Sequence, residues 1–356
     1  MEIGSILEIN PEDLFIKNNR AIKFPFMIDD NWNLDFFNTG RAAIEAFYKS
    51  FENIKRVWVP SFICMSVVEA LIRANKEVIY YPVDKMLQPK IDYLEKCNVQ
   101  NSDSFYLMQY FGVSLSVELV KYIESLKTRG VIIFEDITMS LLSIAEGKFA
   151  IGDYVLGSIR KWIAIPDGAF LASKHVIPKF EKSNAAYDYT LNYMTAQIMK
   201  SEYLKFPSKY DKEIFLSYIN QAVESLFSDF SVREMSKISY NLLHTDLEEI
   251  RIKRKNNYLI LNELLSQIPR IKILSKCDEG MIPFGMFILA DDRDELLKYL
   301  ISNDIYCNVH WRCNEAAALF EDSNYLSDHC ISIPCDQRYG KKEMEYIFNT
   351  LKKWRD

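Results

Sequence analysis

The sequence lacks the features by which membrane proteins and nucleic-acid-binding proteins are usually recognised. Its 43 lysine and arginine residues are outnumbered by 49 aspartate and glutamate residues, which leaves a net charge of −6. No apolar run approaches the roughly 20 residues that a membrane-spanning helix requires, and no overall basic field is present to attract a polyanion. We therefore expect partners that are neither membranes nor nucleic acids. The short basic cluster Arg251–Lys255 is expected to lie on the solvated face of a long helix.

Paired cysteines of the Cys-x-x-Cys type are also absent, which argues against a structural zinc site. Two mixed groups do occur near the C-terminus, namely Cys307, His310 and Cys313, and then His329, Cys330 and Cys335. A strand over residues 306–311 would turn side chains three apart to opposite faces, so we expect no metal. The seven cysteines are odd in number, and the first residues lack the basic start and long apolar core of a signal peptide. Reduced thiols in a cytoplasmic protein are therefore expected.

Apolar segments and helical periodicities alternate over the first half of the chain, which predicts an α/β fold. Between residues 28 and 175, short apolar strands alternate with helices, a pattern typical of a mainly parallel sheet wrapped by helices. Residues 178–263 are predicted to be helical, and from residue 266 onward strands and helices alternate in a smaller α+β unit. We therefore expect three parts, namely an N-terminal segment (residues 1–27), a large domain (28–249) and a small C-terminal domain (250–356).

Polar residues that follow two of the predicted strands indicate a cofactor site. The apolar residues 131–134 are followed by Glu135 and Asp136. A second apolar run ends at Ser158, three residues before Lys161. Ligands of parallel sheets bind beyond the carboxyl ends of the strands, where a lysine shielded from water has a lowered pKa and can form a Schiff base with an aldehyde.

A carboxylate beside such a lysine is what pyridoxal phosphate requires, because the acid pairs with the ring nitrogen and makes the ring an electron sink. From these residues alone, other interpretations stay open. Arg160 and Lys161 can form a surface pair that flanks a turn, and Asp136 can be a helix cap or a surface acid.

A third segment has the composition of a phosphate-binding helix start. Thr39 and Gly40 precede an alanine-rich run in which Ile44 and Phe47 recur at helical spacing. A helix N-terminus opened by glycine offers unpaired backbone N–H groups and the positive end of the helix dipole. Arg41 adds a positive charge there. Many helices begin in this way, so this segment indicates a phosphate site only in combination with the other two segments.

Together the three segments resemble the fold-type I pyridoxal-phosphate enzymes and, more closely, the DegT/DnrJ/EryC1/StrS aminotransferase family. The resemblance covers most of the chain and rests on these motifs: Asn38–Ala43, Val59–Phe62, Tyr110–Gly112, Glu135–Asp136, Ser158–Lys161, Ile305–Trp311 and Ile331–Tyr339. It implies a large domain that binds pyridoxal phosphate, a homodimer, and transfer of an amino group from an amino acid to a nucleotide-linked keto-sugar.

The resemblance also implies a role for each residue of the three segments. Lys161 would hold the cofactor and move the proton during amino transfer, and Asp136 would keep the ring nitrogen protonated. Ser158, Gly40 and Arg41 would bind the cofactor phosphate. A pyridoxal-phosphate enzyme of another reaction type, such as a dehydratase or an amino-acid-processing enzyme, and a non-catalytic protein that retains the fold are the alternatives.

The sequence departs from the family pattern in three places, which marks a divergent member. The segment Ser158-Ile-Arg-Lys161 replaces the usual form Ser-Phe-His-x-x-Lys. Met139 stands where a glutamine or histidine usually contacts the phenolic oxygen of the ring, and Cys64 stands near the usual stacking aromatic. We therefore expect the phosphate, nitrogen and aldehyde contacts to be retained, and the contacts to the face and edge of the ring to differ.

Residues of the small domain are expected to reach the substrate. Arg312 and Arg338 are candidates for binding the carboxylate of the amino donor, because a guanidinium group binds carboxylates through two parallel hydrogen bonds. His310 and Trp311 offer a flat, partly polar surface for a sugar ring. A place in the core of the small domain is an equally good interpretation for these two residues.

Overall fold

The computed structural model describes residues 1–15, 31–143, 150–243, 247–274, 277–278 and 280–355. Residues 16–27, the end of the expected N-terminal segment, therefore lie outside the described residues. None of the described helices combines the length and the apolar character needed to cross a membrane.

A seven-stranded sheet forms the centre of the large unit. Its strands are β2 (Asn33–Phe37), β3 (Arg56–Pro60), β4 (Glu77–Tyr81), β5 (Ser104–Met108), β6 (Ile132–Asp136), β7 (Tyr154–Ser158) and β8 (Ala169–Ser173). They lie in the order β2-β8-β7-β6-β5-β3-β4, and β8 alone runs against its neighbours within this sheet. The mainly parallel sheet expected from the sequence is thus confirmed.

Helices alternate with these strands, and a helical stretch follows them, as the pattern predicted. The helices of this part are α1 (Gly40–Ser50), α2 (Met65–Arg73), α3 (Ile91–Leu94), α4 (Val117–Thr128), α5 (Tyr187–Lys205), α6 (Lys212–Ser228), α7 (Lys237–Asn241) and α8 (Leu247–Leu265). Side-chain oxygens cap several of them: Thr39 accepts a hydrogen bond from the Ala42 N–H at the start of α1, and Ser116 accepts one from the Leu119 N–H at the start of α4. Each such cap contributes about 1 kcal/mol to helix stability.

The central strands are buried, which explains why their sequences are continuously apolar rather than alternating. All five residues of β5, β7 and β8 are buried. Helix α1 packs on the sheet through Phe47, whose ring centroid lies 4.8 Å from that of Phe134 and 4.7 Å from that of Tyr154. Burial of one such side chain contributes about 1.5–3 kcal/mol. This packing fixes α1 across the sheet, with its N-terminus beside the end of β7.

A second unit is built on a three-stranded antiparallel sheet. Its elements are β9 (Lys272–Ile273), β10 (Met286–Leu289), α9 (Arg293–Ser302), β11 (Ile305–Tyr306), α10 (Glu315–Ala318), α11 (Glu321–His329), β12 (Cys330–Ile333) and α12 (Lys341–Lys353). The sheet order is β12-β10-β9, and a separate apolar core of residues such as Leu261, Ile288 and Ile347 lies under α8 and α12. Helix α8 runs across the expected boundary at residues 249–250, and that boundary stays a prediction.

The strand expected over residues 305–311 is shorter than predicted. Strand β11 pairs in parallel with β1 (Ile3–Gly4) and ends at Tyr306, and beyond it only an isolated bridge joins Asn308 to Ser332. Gly4 has a φ of +96°, and a side chain there would collide with the Tyr306 carbonyl group. Ser5, the next residue, has a φ of +60°, so the chain leaves the extended conformation and the pairing ends there. Among the described residues, no three histidine, cysteine or acidic side chains are grouped so as to hold a metal ion.

Candidate active site

One cavity of about 260 Å³ opens at the carboxyl ends of the parallel strands. It is lined by the five residues that were given a role from the sequence, namely Gly40, Arg41, Asp136, Ser158 and Lys161. Cys64 and Met139, at which the sequence departs from the family pattern, also line it. These residues are spread over more than 120 positions of the chain. The sheet brings them together because the ends of parallel strands meet at one edge.

Asp136 is the last residue of β6 and is only 5 % exposed. Its Oδ2 accepts a hydrogen bond from the Tyr106 hydroxyl (2.7 Å), and its Oδ1 accepts one from the Thr138 N–H (2.8 Å). Asp136 is therefore a fixed, buried carboxylate at the cavity wall, not the surface acid of the alternative interpretation.

Lys161 ends a short 3₁₀ turn, Ile159–Lys161, that follows β7 directly. Burial lowers the pKa of its amine and Arg160 adds to the lowering, whereas Cys64 and Asp136 act in the opposite direction. The Lys161 amine is consequently easier to deprotonate than that of an exposed lysine. A side chain that lines a cavity in this way is not part of a surface pair.

Thr138 joins the segments that carry these two residues, although no sequence pattern distinguishes it. Besides its N–H bond to Asp136, its Oγ1 accepts a hydrogen bond from the Ser158 N–H (3.2 Å). Its carbonyl oxygen accepts one from Trp162 Nε1 (2.7 Å). Trp162 is the neighbour of Lys161 in the chain, so one buried threonine holds the ends of β6 and β7 and the lysine turn in register.

We predict that Thr138→Val lowers the free energy of unfolding by about 1–3 kcal/mol, because the buried Ser158 N–H loses its acceptor. Chemical denaturation of the two proteins measures the difference. Thr138→Ser is the control, since it keeps the hydroxyl group, and it should be considerably less destabilised. Equal losses in the two variants would show that the methyl group, and not the hydrogen bond, is responsible.

The start of α1 forms one end of the cavity. Thr39, Gly40 and Ser158 lie there together with Arg160. The first N–H groups of a helix have no partner within the helix, and the helix dipole places partial positive charge on them. Arg160 was not assigned a role from the sequence, but its charge makes this end of the cavity suited to an anion such as a phosphate.

Arg41 was expected to contact a phosphate group, but its side chain also binds other parts of the protein. Its Nη2 donates a hydrogen bond to the Leu226 carbonyl oxygen at the end of α6, and its guanidinium carbon lies 5.5 Å from the ring centroid of Phe227 and 5.3 Å from that of Phe230. Burial lowers the pKa of Arg41, and Arg73 lowers it further. Arg41 thus lines the cavity while binding the end of α6, and a role toward phosphate stays a prediction.

Cys64 and Met139, at which the sequence departs from the family pattern, both line the cavity. Cys64 precedes α2, and its Sγ lies 3.1 Å from Ser66 Oγ. An aromatic side chain is present nonetheless: Trp311, from the second unit, lines the cavity and packs on Phe62 at a centroid distance of 5.3 Å. The second unit therefore supplies an aromatic surface to a site otherwise built from the large unit.

His310 lies beside this tryptophan but is only 6 % exposed. It packs among Phe111, Phe284 and Phe287, and its Nε2 has no hydrogen-bond partner among the described residues. Burial lowers its pKa to about 3, and Lys161 contributes to the lowering. The imidazole is therefore neutral, and of the two residues only Trp311 presents a surface to the cavity.

No protein-family model matches the sequence, and no curated protein matches it. Solved structures do. A protein from Streptococcus pneumoniae, described as a sugar aminotransferase and solved in its pyridoxal-phosphate form, is 14% identical over 99% of this chain and 98% of its own, with a TM-score of 0.68. PseC of Helicobacter pylori, an aminotransferase involved in the biosynthesis of pseudoaminic acid, is 13% identical over 99% of both chains, with a TM-score of 0.65.

A DegT/DnrJ/EryC1/StrS aminotransferase from Brucella abortus is 14% identical over 90% of this chain and 86% of its own, with a TM-score of 0.62. At such identities the likeness is one of fold. The chain has the fold-type I architecture of these aminotransferases, and the resemblance stated from the sequence is confirmed at that level.

Proposed function

We propose that the protein is a pyridoxal-phosphate-dependent aminotransferase that transfers an amino group from an amino acid to a nucleotide-linked keto-sugar. The observation that carries the proposal is the presence of Lys161 and Asp136 in one cavity with the start of α1. The fold shared with solved sugar aminotransferases supports it. A non-catalytic role does not account for a buried carboxylate and a lysine of lowered pKa held on either side of one cavity.

The groups that line the cavity fit the functional groups of pyridoxal phosphate. An amine is available for the aldehyde in Lys161 and a carboxylate for the ring nitrogen in Asp136. The phosphate would lie on the unpaired N–H groups of α1, near Gly40, Ser158 and the positive charge of Arg160 or Arg41. When bound, the cofactor supplies an electron sink for the electrons of the donor's α-carbon.

The protein's own residues would perform the remaining tasks. The lowered pKa of Lys161 makes its amine a suitable group to accept a proton from the donor and to return it at a neighbouring atom. Asp136, held in place by hydrogen bonds from the Tyr106 hydroxyl and the Thr138 N–H, would pair with the ring nitrogen. Trp311 offers the apolar surface on which a sugar ring can lie.

Reduction with borohydride tests the role of Lys161. Protein mixed with pyridoxal phosphate should absorb near the edge of the visible range, and borohydride should then attach the cofactor permanently to the Lys161 amine. Peptide mass spectrometry locates the label. Lys161→Ala should remain unlabelled, and a label on Lys121 or Lys174 in the unaltered protein would contradict the assignment.

Asp136→Asn should slow turnover by about a thousandfold, which corresponds to about 4 kcal/mol in the barrier at roughly 1.4 kcal/mol for each tenfold change. A neutral amide cannot stabilise the charged ring nitrogen as a carboxylate does. Steady-state kinetics measure the loss, and circular dichroism verifies that the variant folds. A rate close to that of the unaltered enzyme would mean that Asp136 has only a structural role.

The acceptor can be identified by following one half of the reaction. The cofactor-loaded enzyme is first converted to its amine form with glutamate, which is then removed. Nucleotide-linked keto-sugars and simple keto acids are added separately, and we expect the keto-sugars to restore the aldehyde absorbance. Recovery with simple keto acids alone would exclude the sugar acceptor and favour a different pyridoxal-phosphate reaction.

We also propose that the protein is a homodimer, as the fold resemblance implies. Apolar side chains on α5 and α6 are exposed in the single chain, among them Leu191, Val223 and Phe227, and Phe227 also lines the cavity.

Light scattering at micromolar concentration should give the mass of two chains. Val223→Glu should shift the equilibrium toward the monomer, whereas Leu319→Glu, at an exposed apolar position on the second unit, should not. A monomeric unaltered protein with full activity would refute the proposal.

A further inference from the structure

Arg254 is a buried cation without a carboxylate partner. The basic cluster to which it belongs was expected to be solvated, and Lys253 is indeed exposed, but Arg254 is only 1 % exposed. Its Nε donates a hydrogen bond to Gln337 Oε1 (2.8 Å), and its Nη1 donates to the Phe284 carbonyl oxygen (2.8 Å). Its guanidinium carbon lies 4.5 Å from the ring centroid of Trp162.

These contacts give Arg254 no direct counter-charge, and the nearby Asp336 carboxylate, which acts to raise the pKa of Arg254, is itself bound to Arg338. No ion pair joins Arg254 to any carboxylate of the described residues, and its Nη2 makes no hydrogen bond there. Burial lowers the pKa of Arg254 to about 10. Buried charges are normally paired, because removal of an ion from water is costly. An anionic ligand is the missing partner that this arrangement accommodates.

Arg338, one of the two candidates named from the sequence, is already paired. Its Nε and Nη2 donate to the two carboxylate oxygens of Asp336 (both 2.8 Å). Its Nη1 donates to Glu8 Oε2 (2.9 Å). The side chain is therefore used to bind Asp336 and the N-terminal segment, and Arg254 is the neighbouring cation that is left for a ligand. Arg312 is exposed at the surface.

A second, smaller cavity of about 70 Å³ lies at Arg254. Polar groups dominate its wall, including Asn308, Ser332 and the Asp336–Arg338 pair, and Lys161 lines this cavity as well as the larger one. One water molecule needs only about 10–15 Å³ of volume measured in this way, so the cavity has room for a carboxylate group. The two cavities adjoin at the Lys161 side chain.

We propose that the smaller cavity binds the carboxylate of an α-amino acid donor, with Arg254 as its counter-charge. The inference rests on the proposed function, in which the donor's amine takes the place of the Lys161 amine. In an α-amino acid the amine and the carboxylate share one carbon atom, so the carboxylate then lies next to Lys161 and can enter the smaller cavity. Gln337 positions the guanidinium, since its Nε2 also donates to the Trp162 carbonyl oxygen (2.8 Å).

The first test measures carboxylate binding without turnover. Acetate is added to the protein at constant ionic strength, with chloride as the balancing anion, and the melting temperature is recorded. The unaltered protein and Lys253→Gln, which removes an exposed charge from the same helix, should be stabilised alike. Arg254→Gln should lose the acetate effect. Equal stabilisation of Arg254→Gln, or no stabilisation of the unaltered protein, would overturn the proposal.

The second test uses two amines that differ only at the α-carbon. In the cofactor-loaded protein, L-glutamate should react well, and 4-aminobutyrate, which lacks the adjacent carboxylate, should react poorly. Arg254→Lys keeps the charge and is the variant to use if Arg254→Gln does not fold. It should raise the apparent Kd for L-glutamate at least tenfold and leave that for 4-aminobutyrate unchanged. An equal change for both amines would refute the role of Arg254.

The two tests separate this inference from the function on which it rests. The acetate measurement requires no cofactor, because the smaller cavity is formed by the protein alone. Acetate binding that depends on Arg254, found in a protein that takes no cofactor at Lys161, would retain the anion site and reject the aminotransferase. Cofactor attachment at Lys161 without any dependence on Arg254 would retain the enzyme and reject the site.

Discussion

The arrangement of the site depends on the hydrogen bonds of Thr138. Its N–H, hydroxyl and carbonyl groups bind Asp136, Ser158 and Trp162, respectively. Two segments separated by about 20 residues, the end of β6 and the end of β7 with the lysine turn, are thereby held together at one end of the sheet. Asp136 and Lys161 need no direct contact to keep their relative positions, because each is attached to the same threonine through its own segment. A cofactor that must be bound at its nitrogen and at its aldehyde benefits from such fixed spacing.

A second constraint places the lysine turn beside the start of α1. Gly168 adopts a φ of +134°, a backbone conformation that residues with a side chain rarely adopt. Its N–H donates to the Asn38 carbonyl oxygen just before α1, and its carbonyl oxygen accepts from the Ile159 N–H. The reversal of the chain into the antiparallel strand β8 therefore connects the start of α1 to the lysine turn. The positive end of α1 and the Lys161 amine are held on the same side of the sheet as a result.

Much of this arrangement could be predicted from the sequence because local signals and the topology of parallel sheets agree. Apolar runs that end in polar residues gave the ends of β6 and β7, and the shared edge of a parallel sheet implies that Asp136 and Lys161 converge. Thr138 could not be identified, since a threonine after a strand has no distinctive pattern. The hydrogen bond of Arg41 to the end of α6 was equally invisible, because it joins residues 185 positions apart.

The burial of Arg254 shows most clearly what the sequence pattern conceals. A run of four basic residues in five positions is typical of a solvated helix face, and Lys253 follows that rule. Arg254 lies on the buried face of α8, together with Tyr258 and Leu261, so this cation is turned inward over Trp162. The large unit provides the carboxylate, the lysine and the helix start, which the family pattern shares. The second unit provides Trp311 and the two groups that accept hydrogen bonds from Arg254, those of Phe284 and Gln337. In the proposed enzyme, the selection of substrates would therefore depend on the part of the chain where the sequence pattern is least informative.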